Sequence, residues 1–186
     1  MKRVFVLALL ALGFSTTANA EFNYNFIQAT YGQVDFDDVN VDGDNIGFDA
    51  SFALTDEFHI FGGLDFADLD FSVDAQSFEA GVGYNTALTP MIDVIAQLSF
   101  QSVDVDTNFG DADDTGYGLG VGLRINATDL VEINVGLEHV DLGDGGDNTA
   151  LTGAALFNVT ERVSIGFVGS FDDDVTQYSV AGRWYF

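Results

Sequence analysis

The side chains in this sequence that are most suited to a chemical function are aspartates that could ligate a divalent cation. Residues 38–44, with the sequence DVNVDGD, have the spacing of the first half of an EF-hand loop, and Asp49 stands at the twelfth position. The pattern predicts no flanking helices, and an aspartate replaces the bidentate glutamate, so the match to an EF-hand is poor. We expect Asp38, Asn40, Asp42 and Asp44 to bind calcium or magnesium weakly at most, and we predict no other cofactor.

Further aspartates crowd the gaps between apolar segments. The five clusters are Asp35, Asp37, Asp38, Asp42 and Asp44; Asp68, Asp70 and Asp74; Asp104, Asp106, Asp111, Asp113 and Asp114; Asp141, Asp144 and Asp147; and Asp172, Asp173 and Asp174. Crowded carboxylates repel one another, and hard divalent cations relieve this repulsion through oxygen coordination. Simple solvation is the competing interpretation, since acidic runs are usually solvated faces.

The segments between these clusters alternate with a period of two residues, as in β-strands. Phe58, Ile60, Gly62, Leu64 and Phe66 form one such apolar face. Four short turns repeat the pattern apolar, Thr, turn former, any residue, apolar. The predicted strands cover residues 23–35, 46–55, 58–67, 77–87, 91–103, 115–126, 131–141, 149–158, 162–171 and 176–186. Ten segments of this length, joined by alternating short and long loops, predict an all-β transmembrane, antiparallel, up-and-down β-barrel.

The carboxy-terminal strand gives this interpretation its strongest support. Apolar or glycine residues occupy every second position: Tyr178, Val180, Gly182, Trp184 and Phe186. Such a strand supplies an outward apolar stripe and an aromatic anchor at a membrane boundary. The ending resembles the carboxy-terminal signal of bacterial outer-membrane barrels, which implies recognition by the barrel-assembly machinery.

The amino terminus has the pattern of an export signal. Lys2 and Arg3 precede an apolar run, and Ala18-Asn-Ala20 has the form of a cleavage site, so residues 1–20 are predicted to be a signal peptide and 21–186 the mature barrel. Without Lys2 and Arg3 the formal net charge changes from −25 to −27. This charge argues against nucleic acid as a partner.

Several segments resemble the small porin-like outer-membrane barrels of Gram-negative bacteria, the OmpA and OmpX type of architecture. They are residues 23–32, 58–63, 78–84 and the Trp184–Phe186 ending. The resemblance implies a monomer in the outer membrane, in contact with lipid and lipopolysaccharide, whose phosphates divalent cations could bridge to the acidic loops. It implies no shared catalytic motif. Eight-stranded members are common, so eight strands are the alternative to ten.

Six charged residues are predicted to face the barrel lumen. Arg124 and Arg183 are the basic candidates. The acidic candidates occupy strand positions whose side chains should point inward, and they are Glu79, Asp93, Glu132 and Glu138. A charge in a narrow lumen is normally matched. One interpretation is a structural set of ion pairs, with contacts of the Arg183–Glu79 type. The other is a gate in a narrow pore, resembling the paired-charge plug proposed for the OmpA type.

No set of catalytic groups can be assembled from this sequence. His59 and His139 are the only histidines, and there is no cysteine. His59 lies at the start of a predicted strand and His139 near the end of another that runs the same way, so the two histidines are expected at opposite ends of the barrel. We therefore predict a non-enzymatic barrel with a structural or surface-interaction role. A narrow, cation-preferring porin or channel is the alternative, since acids outnumber bases in the predicted lumen.

Overall fold

The computed structural model describes residues 22–36, 41–70, 73–107 and 110–186. The predicted signal peptide lies outside these ranges, and so do Asp37, Asp38 and Asn40. Ten strands form one sheet: β1 (Phe26–Phe36), β2 (Val41–Ala53), β3 (Phe58–Leu69), β4 (Val73–Thr89), β5 (Ile92–Thr107), β6 (Gly110–Thr128), β7 (Val131–Asp141), β8 (Asp147–Asn158), β9 (Val163–Phe171) and β10 (Val175–Tyr185). In the described ranges, no helix combines the length and apolar character needed to cross a membrane.

Each strand pairs antiparallel with its sequence neighbours, and β1 pairs with β10 to close the barrel. The ten-stranded up-and-down barrel predicted from the sequence is confirmed. Both ends of the described chain and the four short turns lie at one end, which we call the terminal end. At the opposite end, which we call the rim, β1, β3, β5, β7 and β9 end and β2, β4, β6, β8 and β10 begin.

Strand register shows that the strands are tilted. We start at Gln28 and step from each residue to its directly paired partner on the next strand. In one direction the path crosses β10, β9 and β8, reaches Asn158 and arrives at Leu130. In the other direction it crosses β2 to β6 and arrives at Leu142. Closure therefore shifts the register by 12 residues. With standard strand spacings, this shift corresponds to a tilt of about 40° from the barrel axis.

The two faces of the sheet have different chemistry. Large apolar side chains such as Phe48, Leu98 and Ile165 point outward and are about half exposed. Glycine, serine and charged side chains point inward, and the two most buried side chains, Leu156 and Ser164, lie toward the terminal end of the lumen. In β1, Phe26 faces inward because its ring covers Arg183, whereas Tyr31 faces outward.

The repeated threonines have a local structural function in the short turns. Thr55 Oγ1 accepts hydrogen bonds from the backbone N–H groups of Glu57 and Phe58, at 3.2 and 3.0 Å. Thr160 Oγ1 does the same for the backbone N–H groups of Arg162 and Val163, at 3.2 and 3.0 Å. Such side-chain bonds stabilise a tight turn. They explain why the pattern recurs at every second connection.

The prediction of long loops at the rim is wrong, because the strands continue into these regions. β4, β5 and β6 contain 17, 16 and 19 residues. In β5, Val103 and Val105 keep inward parity while Asp104 and Asp106 point outward and are exposed. Strand pairing satisfies the backbone groups there, and outward aspartates remain hydrated, so the β-ladder extends through an aspartate-rich segment.

Candidate functional site

The strongest polar contacts in the lumen join two arginines to one glutamate at the terminal end. Arg124 on β6 donates from Nε to Glu132 Oε1 over 3.1 Å and from Nη2 to Glu132 Oε2 over 2.9 Å. Arg183 on β10 approaches the same carboxylate, with Nη1 3.3 Å from Glu132 Oε1. All three residues are buried. Glu132 therefore balances two guanidinium groups, and we call these residues the Arg–Glu–Arg cluster.

Neutral side chains fix the orientation of the Arg–Glu–Arg cluster. Gln28 Oε1 accepts a hydrogen bond from Arg183 Nε over 3.0 Å, and Asn134 Nδ2 donates to Glu132 Oε1 over 3.0 Å. The Phe26 ring lies 4.2 Å from Arg183 Cζ, a distance suited to a cation–π interaction. These contacts satisfy further donors and acceptors of the charged groups, which stabilises a buried ion pair.

Residues 22–25, which we call the N-terminal segment, enter the lumen before β1 begins. Tyr24 is buried, and its hydroxyl donates to Asp93 Oδ2 over 3.0 Å. Its ring stacks on His59 at a centroid distance of 4.7 Å, and Arg124 Cζ lies 4.6 Å from the same ring. Tyr24 therefore covers the Arg–Glu–Arg cluster at the terminal mouth of the barrel.

Backbone contacts hold the N-terminal segment in this position. Arg124 Nη1 donates to the carbonyl oxygen of Asn23 over 3.3 Å. Asn25 Oδ1 accepts from the backbone N–H of Ala53 over 3.0 Å, and the Asn25 carbonyl accepts from the backbone N–H of Phe186 over 3.1 Å. The segment is thus attached to β6, to the end of β2 and to the carboxy-terminal residue.

A cavity of about 330 Å³ lies in the lumen beside the Arg–Glu–Arg cluster, and we call it the acidic chamber. Asp49, Glu79 and Glu138 contribute carboxylates to its lining. Asp49 Oδ2 accepts from Gln28 Nε2 over 2.9 Å. Gln101 Nε2 lies 3.2 Å from Glu79 Oε2 and 3.4 Å from Glu138 Oε1. Amide groups rather than cations are therefore the direct partners of these three acids.

The structure places all six predicted charges inside the barrel but groups them differently from the prediction. An Arg183–Glu79 contact was expected, whereas Arg183 contacts Glu132 and Gln28. Glu79 contacts Gln101 instead. The reason is geometric: the Arg183 guanidinium is directed toward the terminal end, while Glu79 aligns across the ladder with Gly63 on β3 and Gln101 on β5.

At the rim, the register brings aspartates side by side on the outward face. Five exposed aspartates, one from each of β2 to β6, form a row in which each is directly paired with the aspartate on the next strand. We call this row the aspartate arc. Its members are Asp44, Asp68, Asp74, Asp106 and Asp111. Directly opposed side chains in a sheet have Cβ atoms roughly 5 Å apart, and like charges at that distance destabilise the pairing. The arc is thus a row of carboxylates with no basic residue between them.

The described part of the EF-hand-like stretch does not form a calcium-binding loop. Asp42 and Asp44 lie on β2 with their side chains on the outward face, whereas Asp49 on the same strand points into the lumen. An extended strand cannot wrap these oxygens around one ion, and Asp38 and Asn40 lie outside the described residues. Across the described ranges, no three His, Asp or Glu side chains are grouped so that they could hold a metal ion.

Asp70 at the rim gives a pH-dependent prediction. Its hydrogen bond with the Asp42 side chain raises the pKa of the Asp70 carboxyl above its ordinary value. The folded state therefore binds this proton more tightly than the unfolded state does. The resulting stabilisation is present at pH values below the unfolded pKa and is lost as the pH rises through the folded pKa. Asp70→Asn, which keeps a donor at every pH, should melt at a higher temperature than wild type at pH 7 and at the same temperature near pH 3.

Thermal melts of the refolded protein at the two pH values test this expectation. Asp173→Asn removes the same formal charge from the rim without touching the Asp42–Asp70 contact, so it measures general relief of repulsion. Equal shifts for Asp70→Asn and Asp173→Asn at both pH values would contradict the specific role of Asp70.

The comparison with protein families decides the identity of this barrel. The family model for the outer membrane protein beta-barrel domain matches residues 4–179. The chain belongs to this outer-membrane β-barrel family. Because the match includes every strand from β1 to β9 and most of the chain, the apolar outward face is the lipid-facing surface of an outer-membrane barrel.

Two solved structures with TM-scores above 0.5 show the same fold at low sequence identity, and a third is similar at a lower score. An outer-membrane channel from Pseudomonas putida is 12% identical, with a TM-score of 0.55, covering 92% of this chain and 100% of that chain. The KdgM porin, in a complex with disordered oligogalacturonate, is 12% identical, with a TM-score of 0.51, covering 87% of this chain and 99% of that chain. Neisserial surface protein A is 14% identical, with a TM-score of 0.47, covering 87% and 96%. No curated protein matches the chain.

The carboxy-terminal pattern has a clear place in the outer-membrane barrel. Tyr178, Val180, Gly182, Trp184 and Phe186 share the lipid-facing side of β10 and its end. The Trp184 and Phe186 rings lie 5.6 Å apart, and Phe52 lies 6.0 Å from Phe186, forming an aromatic belt at the terminal end. Recognition of this strand by the assembly machinery remains a prediction.

Sequence reasoning missed several residues that shape the lumen of this outer-membrane barrel. Asp65 lies between the outward side chains of Leu64 and Phe66, so its parity alone indicates an inward carboxylate. Asp49 was assigned to a metal loop, although its parity within β2 indicates the lumen. Tyr24 has no such signal, because it precedes β1 and reaches the lumen through an irregular segment.

Proposed function

We propose that this protein is a closed outer-membrane barrel with a structural or surface-interaction role, exercised through its acidic rim. The observation that carries the proposal is the closure of the terminal end. The Arg–Glu–Arg cluster and Tyr24 occupy the lumen there, and each of these groups has hydrogen-bonding or aromatic partners. Small barrels commonly fill their interiors with side chains in this way.

Planar-bilayer conductance of the refolded protein tests the closed state. We expect the wild-type barrel to show no steady current steps once gel mobility before and after heating has shown that it is folded. Steady, reproducible steps from folded wild-type protein would overturn the proposal and favour a channel.

Divalent cations at the rim are the second part of the proposal. The aspartate arc supplies closely spaced carboxylates, which hydrated magnesium or calcium ions can screen and bridge, both to one another and to lipopolysaccharide phosphates. A ligand that binds only the folded state at ten times its Kd adds about 1.4 kcal/mol to stability. We therefore expect millimolar calcium to raise the melting temperature of the wild-type barrel.

A pair of matched variants locates this effect. Asp68→Asn together with Asp74→Asn removes two charges from the centre of the aspartate arc, and should abolish most of the calcium-dependent rise. Glu57→Gln together with Asp129→Asn removes two charges from turns at the terminal end, and should leave the rise unchanged. Equal calcium responses in both double variants would exclude the arc as the binding surface.

A narrow, cation-preferring channel is the second candidate function. It is supported by the charge of the lumen, where Arg124 and Arg183 face six carboxylates: Asp49, Asp65, Glu79, Asp93, Glu132 and Glu138. An excess of fixed negative charge favours cations over anions in a pore. For this function, the N-terminal segment must leave the terminal mouth, which a variant of Tyr24 can test.

The proposal includes no catalysis and no resident cofactor. His59 is stacked beneath Tyr24, and His139 faces outward with Nδ1 2.9 Å from Thr149 Oγ1, so the two histidines serve separate structural contacts. The partners we propose are outer-membrane lipid, lipopolysaccharide and the barrel-assembly machinery, with the protein acting as a monomer. The strong negative charge supports the absence of a nucleic-acid partner.

A further inference from the structure

Three carboxylates that line the acidic chamber have no basic side chain as a direct partner in the described residues. Asp49, Glu79 and Glu138 each carry two carboxylate oxygens, yet among the described residues their side-chain hydrogen bonds come only from the amide groups of Gln28 and Gln101. An ionised carboxylate accepts several hydrogen bonds. The missing complement is therefore a group that brings both donors and positive charge.

Two pairs of carboxylates are close enough to share one donor, and we call the space beside each pair a gap. Asp49 Oδ1 and Glu79 Oε1 lie 3.0 and 3.3 Å from the point where a Cβ on Gly63 would stand, so the two oxygens approach each other and no side chain at Gly63 separates them. Glu79 and Glu138 both lie within 3.4 Å of Gln101 Nε2, so one nitrogen contacts both acids, and an ammonium group there would take over the contacts of this neutral amide. Glu79 thus belongs to both pairs.

A buried hydroxyl in the chamber also lacks a partner. Ser51 is 4% exposed and lines the cavity, and within the described part of the chain its Oγ has no hydrogen bond. A buried polar atom without a partner costs free energy unless a ligand or water satisfies it. Phe61 contributes an aromatic surface to the same cavity, and aromatic faces attract organic cations.

The size and geometry of the chamber favour an organic cation over a directly coordinated metal ion. In the described ranges no three acidic or histidine side chains are arranged to hold a metal ion, so direct metal coordination is not provided. A cavity of about 330 Å³ is large enough for a small organic molecule. Arg124 and Arg183 also line the cavity, but in the described ranges their ion pairs are with Glu132, so neither arginine is a direct partner of Asp49, Glu79 or Glu138.

We propose that the acidic chamber binds a linear organic polyamine, with one ammonium group between Asp49 and Glu79 and another between Glu79 and Glu138. Each ammonium group supplies charge-assisted hydrogen bonds to two carboxylates, and the methylene chain packs against Phe61. Ser51 Oγ accepts a further hydrogen bond. The site functions in a closed or an open barrel, so it does not depend on the structural or channel role proposed above.

Equilibrium dialysis of radiolabelled spermidine against the folded barrel in zwitterionic detergent tests the proposal, at about 150 mM NaCl to screen surface charge. We expect one spermidine per barrel. Glu79→Gln, which keeps the shape of the side chain but removes charge from both gaps, should weaken binding by at least about tenfold. Glu138→Gln removes charge from one gap and should have a smaller effect.

Two controls separate the chamber from the acidic surface. Asp74→Asn removes one negative charge from the aspartate arc and should change spermidine affinity by less than about twofold, since screening weakens distant charges. Magnesium at the same concentration should not displace spermidine. Equal weakening by Asp74→Asn and Glu79→Gln, or full displacement by magnesium, would overturn the proposal in favour of nonspecific binding at the rim.

Discussion

Glu132→Ala is expected to lower the free energy of unfolding by about 3–5 kcal/mol, because it leaves two buried guanidinium groups without their shared carboxylate. Arg124 loses a two-point contact and Arg183 loses its ion pair, while Arg124 remains buried beneath Tyr24 and Arg183 beneath Phe26. Urea unfolding of the barrel in detergent, followed by tryptophan fluorescence of Trp184 and by gel mobility, measures the change.

Glu138→Ala provides the matched control. Glu138 is also a lumen glutamate on β7, but its side-chain hydrogen bond comes from the neutral Gln101 and it lies among other acids. Its removal relieves repulsion with Glu79, so we expect the free energy of unfolding to change little or to rise. Comparable losses for Glu132→Ala and Glu138→Ala would show that glutamate packing, not the pairing with arginine, determines the effect.

The contrast between these two glutamates shows what the sequence can and cannot predict. Their spacing of six residues in β7 gives both the same parity, so an alternating pattern correctly places both on the inward face. It cannot tell which one meets an arginine. That depends on strand tilt and register across the closed barrel, which bring Arg183 on β10 to Glu132 across two intervening strands.

The number and type of the strands were predictable for a related reason. A strand between lipid and lumen must alternate along its whole length, and segments such as 117–126 and 131–138 show that alternation clearly. At the rim the requirement changes, because water surrounds the strands and outward aspartates cost little. Aspartate has a low strand propensity, so the sequence pattern there indicated loops although the β-ladder continues.

Strand pairing also explains why the EF-hand-like spacing in residues 38–49 does not give a calcium loop in β2. A spacing motif describes a calcium loop only when the chain between its ligands turns. In β2, pairing with β1 and β3 keeps the chain extended, so Asp42 and Asp49 fall on opposite faces. Long-range strand pairing therefore overrides the local pattern and directs one carboxylate to the rim and the other to the acidic chamber.

Closure by the N-terminal segment differs from closure by the Arg–Glu–Arg cluster in how much the stability of the barrel depends on it. The cluster belongs to strands that the barrel needs in order to close, so its removal affects stability. Tyr24 precedes β1 and takes no part in the β-ladder. It blocks the mouth through one hydrogen bond to Asp93, ring contacts with His59 and Arg124, and the backbone contacts of its neighbours. This segment is the part of the closure that can be altered while the barrel stays folded.

Tyr24→Gly is therefore expected to change a silent barrel into one that passes steady, cation-selective current steps. Without the ring, the terminal mouth beside Asp93 and Arg124 is uncovered, and the acidic chamber behind it favours cations. Tyr24→Phe keeps the ring and loses only the hydroxyl bond, so it should remain silent or open rarely. Planar-bilayer recordings with a salt gradient give both the conductance and the ion preference.

Tyr31→Gly is the matched control, since it removes the same side chain from the lipid-facing side of the neighbouring strand segment, where Tyr31 is 54% exposed. It should insert and stay silent. If folded Tyr24→Gly also stays silent, the Arg–Glu–Arg cluster closes the lumen without help from the N-terminal segment, and the channel function is excluded for this barrel. If both tyrosine variants conduct, loss of barrel integrity rather than opening of the mouth explains the current.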